Sequence, residues 1–191
     1  IIFDWDDTLL CTHWLERFGI PSNAAARCLQ KIGEMAANLL EAATKLGHTF
    51  IITNAQTGWV ELSAKRWAPA LLPVLQKVQV ISARDSHVQD FPDNIDMWKI
   101  SAFLEVRKRF DNELVTNLIA VGDSHYEMNA IFAMAKEFEY KLVKTIRFQT
   151  RPTPSELLRQ LELVAAKFEK IVEASRNMTI ALERKPTAPP S

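Results

Sequence analysis

Residues 1–10 read IIFDWDDTLL, an apolar run, Ile1-Ile2-Phe3, that ends in Asp4, Asp6 and Asp7 and then Thr8. The run has the composition of the end of a buried strand. Carboxylates are almost never fully buried unless they are paired or bound to a metal, so a strand that empties into a cluster of them needs a reason. One reading is a solvated turn with an aspartate cap. The other is a site for a hard cation and a nucleophile at the carboxyl end of a parallel strand, where open α/β sheets hold their ligands.

The chain beyond this stretch alternates between strand and helix patterns. A helix is expected over about 23–46, where Leu29, Ile32, Met35, Leu39, Ala43 and Leu46 recur at three- and four-residue spacings and Gly47 supplies a stop. Strands follow at 49–54, 78–82, 118–121 and 141–148. Helices are expected at about 58–66, 94–110, 126–138 and 155–175, the last with an apolar stripe of Leu157, Leu161, Val164, Phe168 and Ile171. Residues 9–22 and 83–93 read as short connections, and 177–191 as a polar, Pro-rich tail. Such alternation predicts a single α/β domain over 1–176, with a parallel sheet covered by helices and joined by right-handed crossovers.

Composition narrows the function. The 191 residues carry 23 Lys plus Arg against 23 Asp plus Glu, so a zero net charge gives no support to a nucleic-acid or polybasic membrane binder. No apolar run is long enough for a membrane span. Cys11 and Cys28, without a framework pattern, fit a reducing, intracellular compartment, the cytoplasm first. Only three residues precede Asp4, so upstream residues are expected, and organellar targeting is left open.

Three strands end in chemically loaded residues: Asp4 with Asp6, Thr53 with Asn54, and Asp123. In a parallel sheet these ends share one edge, which brings distant positions together. Four segments in this order resemble the haloacid dehalogenase superfamily of phosphohydrolases: Asp4-Trp5-Asp6-Asp7-Thr8 after a strand; Phe50-Ile51-Ile52-Thr53-Asn54; Lys99 in Asp96-Met97-Trp98-Lys99; and Val121-Gly122-Asp123-Ser124-His125-Tyr126-Glu127. The resemblance covers residues 1 to about 150.

That resemblance implies a three-layer Rossmann-like sandwich around a central, mostly parallel five-stranded sheet. It also implies a magnesium-dependent phosphatase working through an aspartyl-phosphate. Asp4 would be the nucleophile, Asp6 the general acid and base, and Thr53, Asn54 and Lys99 the groups that bind the phosphoryl. Magnesium would take Asp4, the Asp6 backbone carbonyl and Asp123. The family's second aspartate in the last segment is matched here by Glu127, which either reaches the metal through water or only orients Lys99. Lys65 and Lys108 are fallback candidates for Lys99. Asp7 reads as a solvated or turn residue, Thr8 as a hydroxyl that fixes the turn, and His125 as a loop residue near the site. Cys11 and Trp14 either touch substrate or pack.

Family members often carry a cap domain inserted after the first segment or after the third strand. The connections 9–22 and 83–93 are too short for one, so a capless member with an open site is expected. Such a site suits a bulky phosphorylated substrate, such as a phosphoprotein. The alternative is a catalytically silent subunit that keeps the fold and docks to a partner through its last helix or tail.

Overall fold

A computed structural model describes residues 1–19, 21–110 and 116–184. One sheet of six parallel strands, with helices on both faces, forms a Rossmann-like three-layer sandwich. The strands are β1 (Ile2–Phe3), β2 (Phe50–Thr53), β3 (Gln79–Ser82), β4 (Thr116–Gly122), β5 (Lys141–Arg147) and β6 (Met178–Ala181). The helices are α1 (Thr12–Phe18), α2 (Asn23–Leu46), α3 (Trp59–Trp67), α4 (Leu72–Leu75), α5 (Ala83–His87), α6 (Ile95–Arg107), α7 (His125–Ala135), α8 (Pro154–Ala165) and α9 (Phe168–Glu173).

The spatial order is β3-β2-β1-β4-β5-β6. It runs one way from β1 to β3 and the other way from β4 to β6, so the winding reverses between β1 and β4. A crevice opens at such a reversal, outside the carboxyl ends of the strands. Ile2 pairs with Phe50 on one side and Ala120 on the other, and Phe3 with Ile51 and Val121. This register leaves Asp4 and Gly122-Asp123 at one level on the same edge, with the Asp4 backbone N–H donating to the Val121 carbonyl at 2.8 Å.

Alternation along the strands builds two cores, because successive side chains point to opposite faces. Phe3, Ile51, Ile119 and Val121 pack with Leu29, Ile32 and Leu39 of α2, Leu157 and Leu161 of α8 and Phe168 of α9. Ile2, Phe50, Ile52, Leu118 and Ala120 pack with Trp98 and Phe103 of α6 and Ile131 and Met134 of α7. Helix α2 has the predicted bounds. Ser22 accepts the Ala25 N–H at its start, and the Gly47 N–H returns to the Ala43 carbonyl at its end.

Four expectations are corrected. The sheet has six strands, not five, and all are parallel. The sixth, β6, lies where the sequence suggested a tail; Met178 and Ile180 turn inward from a strand that pairs with β5 in register Lys144↔Met178. Its alternation spans four residues and adjoins a polar end, which hides it in composition; positions 185–191 of the expected tail lie outside the described residues. The helix expected over 155–175 is two, α8 and α9, broken at Ala166-Lys167 so that Phe168 can reach Phe3, ring centroids 6.0 Å apart. The two short connections each contain a helix, α1 and α5.

Candidate active site at the carboxyl edge of the sheet

Asp4 follows β1, Thr53 ends β2, and Asp123 follows β4, so three strands deliver their last side chains to one rim. Lys99 arrives from the second turn of α6, whose start is capped by Asn94 accepting the Met97 N–H. Glu127 arrives from the first turn of α7. There Ser124 Oγ accepts the Tyr126 N–H, while Glu127 Oε2 accepts from the Ser124 N–H at 3.1 Å and the Ser124 hydroxyl at 2.7 Å. This capping box fixes the glutamate before any ligand is considered.

Lys99 is almost wholly enclosed and donates both to Asp4 Oδ1, at 2.5 Å, and to Glu127 Oε1. Burial disfavours its ammonium, yet the Asp4 and Glu127 carboxylates together hold its pKa above the ordinary lysine value. Burial also works against the Glu127 carboxylate, but Lys99 and Ser124 hold it below its ordinary value. Asp4 goes the other way. Burial pushes its pKa well above the usual carboxylate range, against the pull of Lys99 and with the repulsion of Glu127, Asp6 and Asp123. Asp123 is raised to about 7 by burial and by the charges of Glu127 and Asp7. Carboxylates outnumber the buried ammonium, which makes the rim short of positive charge.

Oxygens of Asp4, Asp123 and Glu127 lie within 4.8 Å of one another. This is a hard, all-oxygen donor set of the kind a divalent cation takes. Glu127 is at the same time the counter-charge of Lys99. A carboxylate oxygen can accept a hydrogen bond and still ligate a cation, so the group that could hold one comprises Asp4, Asp123 and Glu127. Of the two roles the sequence left open for Glu127, its contact with Lys99 is present, and its place in the acidic group leaves the metal-reaching one open.

Asp6 sits beside this group, half-buried. Its Oδ2 accepts the Thr53 hydroxyl at 3.1 Å and its Oδ1 accepts the Trp59 indole N–H at 2.9 Å. The Ala55 N–H in turn donates to Thr53 Oγ1 at 3.0 Å. An open recess of about 530 Å³ lies in front of Asp6, lined among others by His13, Glu16, Asn54, Trp59 and Arg84. Asn54 Oδ1 is buried there with no hydrogen-bond partner among the described residues.

The remaining candidates sort by burial and contact. Lys65 and Lys108 are exposed, whereas Lys99 is the lysine seen enclosed against Asp4 and Glu127. Asp7 is a turn residue, with φ 55° and its Oδ1 accepting the His13 N–H at 3.1 Å, but it is buried rather than solvated. Thr8 is enclosed, and its hydroxyl has no partner among the described residues, so it does not fix the turn by that group. Cys11 is enclosed in the core, where burial pushes its thiol up to about 12. Trp14 stacks on Phe18, centroids 5.2 Å apart. His125 opens α7 instead of lying in a loop, and its exposed ring stands 3.7 Å from Asp96.

Sequence reasoning missed Trp59 and Trp5. Trp5 is enclosed between the two aspartates and donates to Ser63 Oγ at 2.9 Å. The available signal was chemical: a buried indole N–H needs an acceptor, and a tryptophan at a helix start near a carboxylate turn has one within reach. Compared with protein-family models, with curated proteins and with solved structures, the chain matches none.

Proposed function

We propose that this chain is a magnesium-dependent phosphoric monoester hydrolase that works through an aspartyl-phosphate on Asp4. The observation that carries the reading is the meeting of Asp4, Asp6, Thr53, Lys99 and Asp123 where the winding of the sheet reverses. It agrees with the resemblance of the four segments to the haloacid dehalogenase-like phosphatases.

Phosphoryl transfer asks a protein mostly for positioning and charge neutralisation. Asp4 Oδ2 is the attacking oxygen, since Oδ1 is held by Lys99. Lys99 neutralises the phosphoryl oxygens and stays charged because Glu127 is its fixed counter-ion. Magnesium, when held by Asp4 and Asp123, supplies the further positive charge that lets a carboxylate approach a phosphate dianion. Asp6 gives a proton to the leaving oxygen and afterwards takes one from the attacking water. Thr53 and Asn54 offer a hydroxyl and an amide to the phosphoryl group from the end of β2.

The recess in front of Asp6 supports a bulky leaving group. Among the described residues, the chain between β1 and α2 holds the seven-residue helix α1, and that between β3 and α6 the five-residue helix α5. A phosphorylated side chain on a protein surface fits this entrance. Among the described residues no helix is long and apolar enough to cross a membrane.

The test is turnover of an aryl phosphate with magnesium, before and after Asp4→Asn. The expected result is hydrolysis by the parent, loss of activity on chelation, and loss in Asp4→Asn. An inactive parent, or an equally active Asp4→Asn, overturns the reading.

A further inference from the structure

The D-W-D turn and helix α3 hold each other through two indole hydrogen bonds that run in opposite directions. Trp5 donates from the turn to Ser63 Oγ on the helix at 2.9 Å. Ser63 passes its own proton to the Trp59 carbonyl at 2.7 Å. Trp59, the first residue of α3, donates back from the helix to Asp6 Oδ1 at 2.9 Å. Gly58, at φ 86°, makes the left-handed turn that leads into this residue, and Trp67 packs on its ring edge-on with centroids 6.1 Å apart. The circuit is closed: neither the turn nor the start of α3 can shift without breaking a bond to the other.

The two oxygens of Asp6 are thereby made unequal. Oδ1 faces an indole N–H, which only donates and cannot rotate away from its ring. Oδ2 faces the Thr53 hydroxyl, a group with one proton that turns freely about its bond. That proton can go to Asp6 or to a phosphoryl oxygen, but not to both at once.

We infer that Trp59 is a positioning residue for Asp6, pinning Oδ1 so that Oδ2 is the oxygen that exchanges the proton with substrate. This rests on the phosphatase reading of the site. In the first step Asp4 forms a bond to phosphorus, the bond to the leaving oxygen breaks, and that oxygen takes the proton from Asp6 Oδ2. In the second, a water oxygen attacks phosphorus while one water proton goes to Asp6 Oδ2. The bond from phosphorus to Asp4 breaks, and inorganic phosphate leaves. When Thr53 turns its hydroxyl to the phosphoryl group, Oδ2 is released while Trp59 still holds Oδ1. Trp59 itself touches none of the reacting atoms.

Trp59→Phe tests this by keeping a ring and deleting the N–H. With 4-nitrophenyl phosphate and magnesium, the expected result is a first-turnover burst of nitrophenolate that is kept, because this leaving group needs no proton. Steady-state turnover, which needs Asp6 to activate water, falls about 10- to 100-fold and KM falls with it, so that kcat/KM stays within about twofold of the parent. With an alkyl phosphate the first turnover falls as well. Turnover within about twofold of the parent on both esters, or burst and steady state reduced alike with a raised KM, overturns the inference.

A second measurement separates this from failure of the phosphatase reading. The indole ¹⁵N–¹H signal that disappears in Trp59→Phe belongs to Trp59. In Asp6→Ala that signal moves upfield and exchanges faster if the contact exists in solution. If the parent hydrolyses no ester, the phosphatase reading fails, and the position of this signal alone decides the contact: a shift upholds the pinning of Oδ1, and an unmoved signal overturns it.

Discussion

Glu127 and Lys99 form an ion pair in which neither side chain is more than 2% exposed. Glu127 is anchored from behind by the Ser124 N–H and hydroxyl, and Lys99 carries the pair forward to Asp4. The lysine is thus aimed by a helix cap. Removing Glu127 leaves Lys99 with Asp4 as its counter-charge but takes a hydrogen-bonded acceptor from both Lys99 and Ser124. Glu127→Ala is expected to lower unfolding stability by about 1–3 kcal/mol in urea titrations, with Glu127→Gln losing less because the amide still accepts from Ser124. Equal stability of Glu127→Ala and the parent would show that the pair is not closed in solution.

Gly122 lies directly under that glutamate. A Cβ at this position would stand 2.5 Å from Glu127 Cγ and Oε2, closer than any real Cβ contact. Gly122→Ala should therefore cost about 1–3 kcal/mol by displacing the carboxylate from Lys99. In a Glu127→Ala background the same substitution has nothing to strike. The double mutant should be more stable than the sum of the two losses implies. Strict additivity across the four proteins would count against the contact.

Lys144, on β5, is wholly enclosed, and among the described residues no carboxylate forms an ion pair with it. Its Nζ donates to the Val172 carbonyl at 2.6 Å, an oxygen that also accepts from Asn117 Nδ2 at 2.6 Å. The carbonyl keeps a partner if the lysine goes, so Lys144→Met removes a buried charge without creating an orphan acceptor. The expected change in chemical denaturation lies between zero and a gain of about 2 kcal/mol. A clear loss would mean that the ammonium has a further partner in solution.

Glu156, in the first turn of α8, joins that helix to the segment just after β6. The Arg184 guanidinium, then the Thr153 N–H, hold its pKa down at about 2 from an ordinary 4.5. A carboxylate depressed on folding stabilises the folded state fully above the unfolded value near 4.5. That contribution fades as pH falls and is gone below about 2. Thermal melts from pH 6 downward should show the parent above Arg184→Met by a constant margin down to about pH 5, with the two curves converging as pH falls towards 2. Curves that keep one constant separation over the whole range would show that the pair does not persist in solution.

Much of the fold was written in local pattern. The period of α2 and its caps Ser22 and Gly47 are properties of neighbouring residues, and they placed both ends of that helix. Strands β1, β2 and β4 carry continuous apolar runs because both faces are covered, and that kind of strand is the easiest to see. Strand β6 and helix α5 were not visible, since a four-residue strand with two half-buried side chains and a five-residue turn bury too little to leave a period. The break between α8 and α9 was hidden for the opposite reason. The apolar stripe continues across it, and only packing of Phe168 against Phe3 requires the bend.

For the site, the sequence by itself determined which residues reach the rim, because a parallel sheet sends every strand end to one edge. Asp4, Thr53 and Asp123 followed from that rule, and Lys99 only from the resemblance of its segment to the phosphohydrolase family. What only the tertiary structure decided is how these groups divide their bonds. The reversal between β1 and β4 puts Asp4 beside Asp123, the Ser124 cap turns Glu127 onto Lys99, and α3 brings Trp59 against Asp6. Those pairings bring together residues 28 to 119 positions apart, and the Lys99–Glu127 and Trp59–Asp6 ones do so through directional bonds a few ångströms long. Local sequence pattern carries periodicity and composition, but not the rotation of one helix against another that such bonds require.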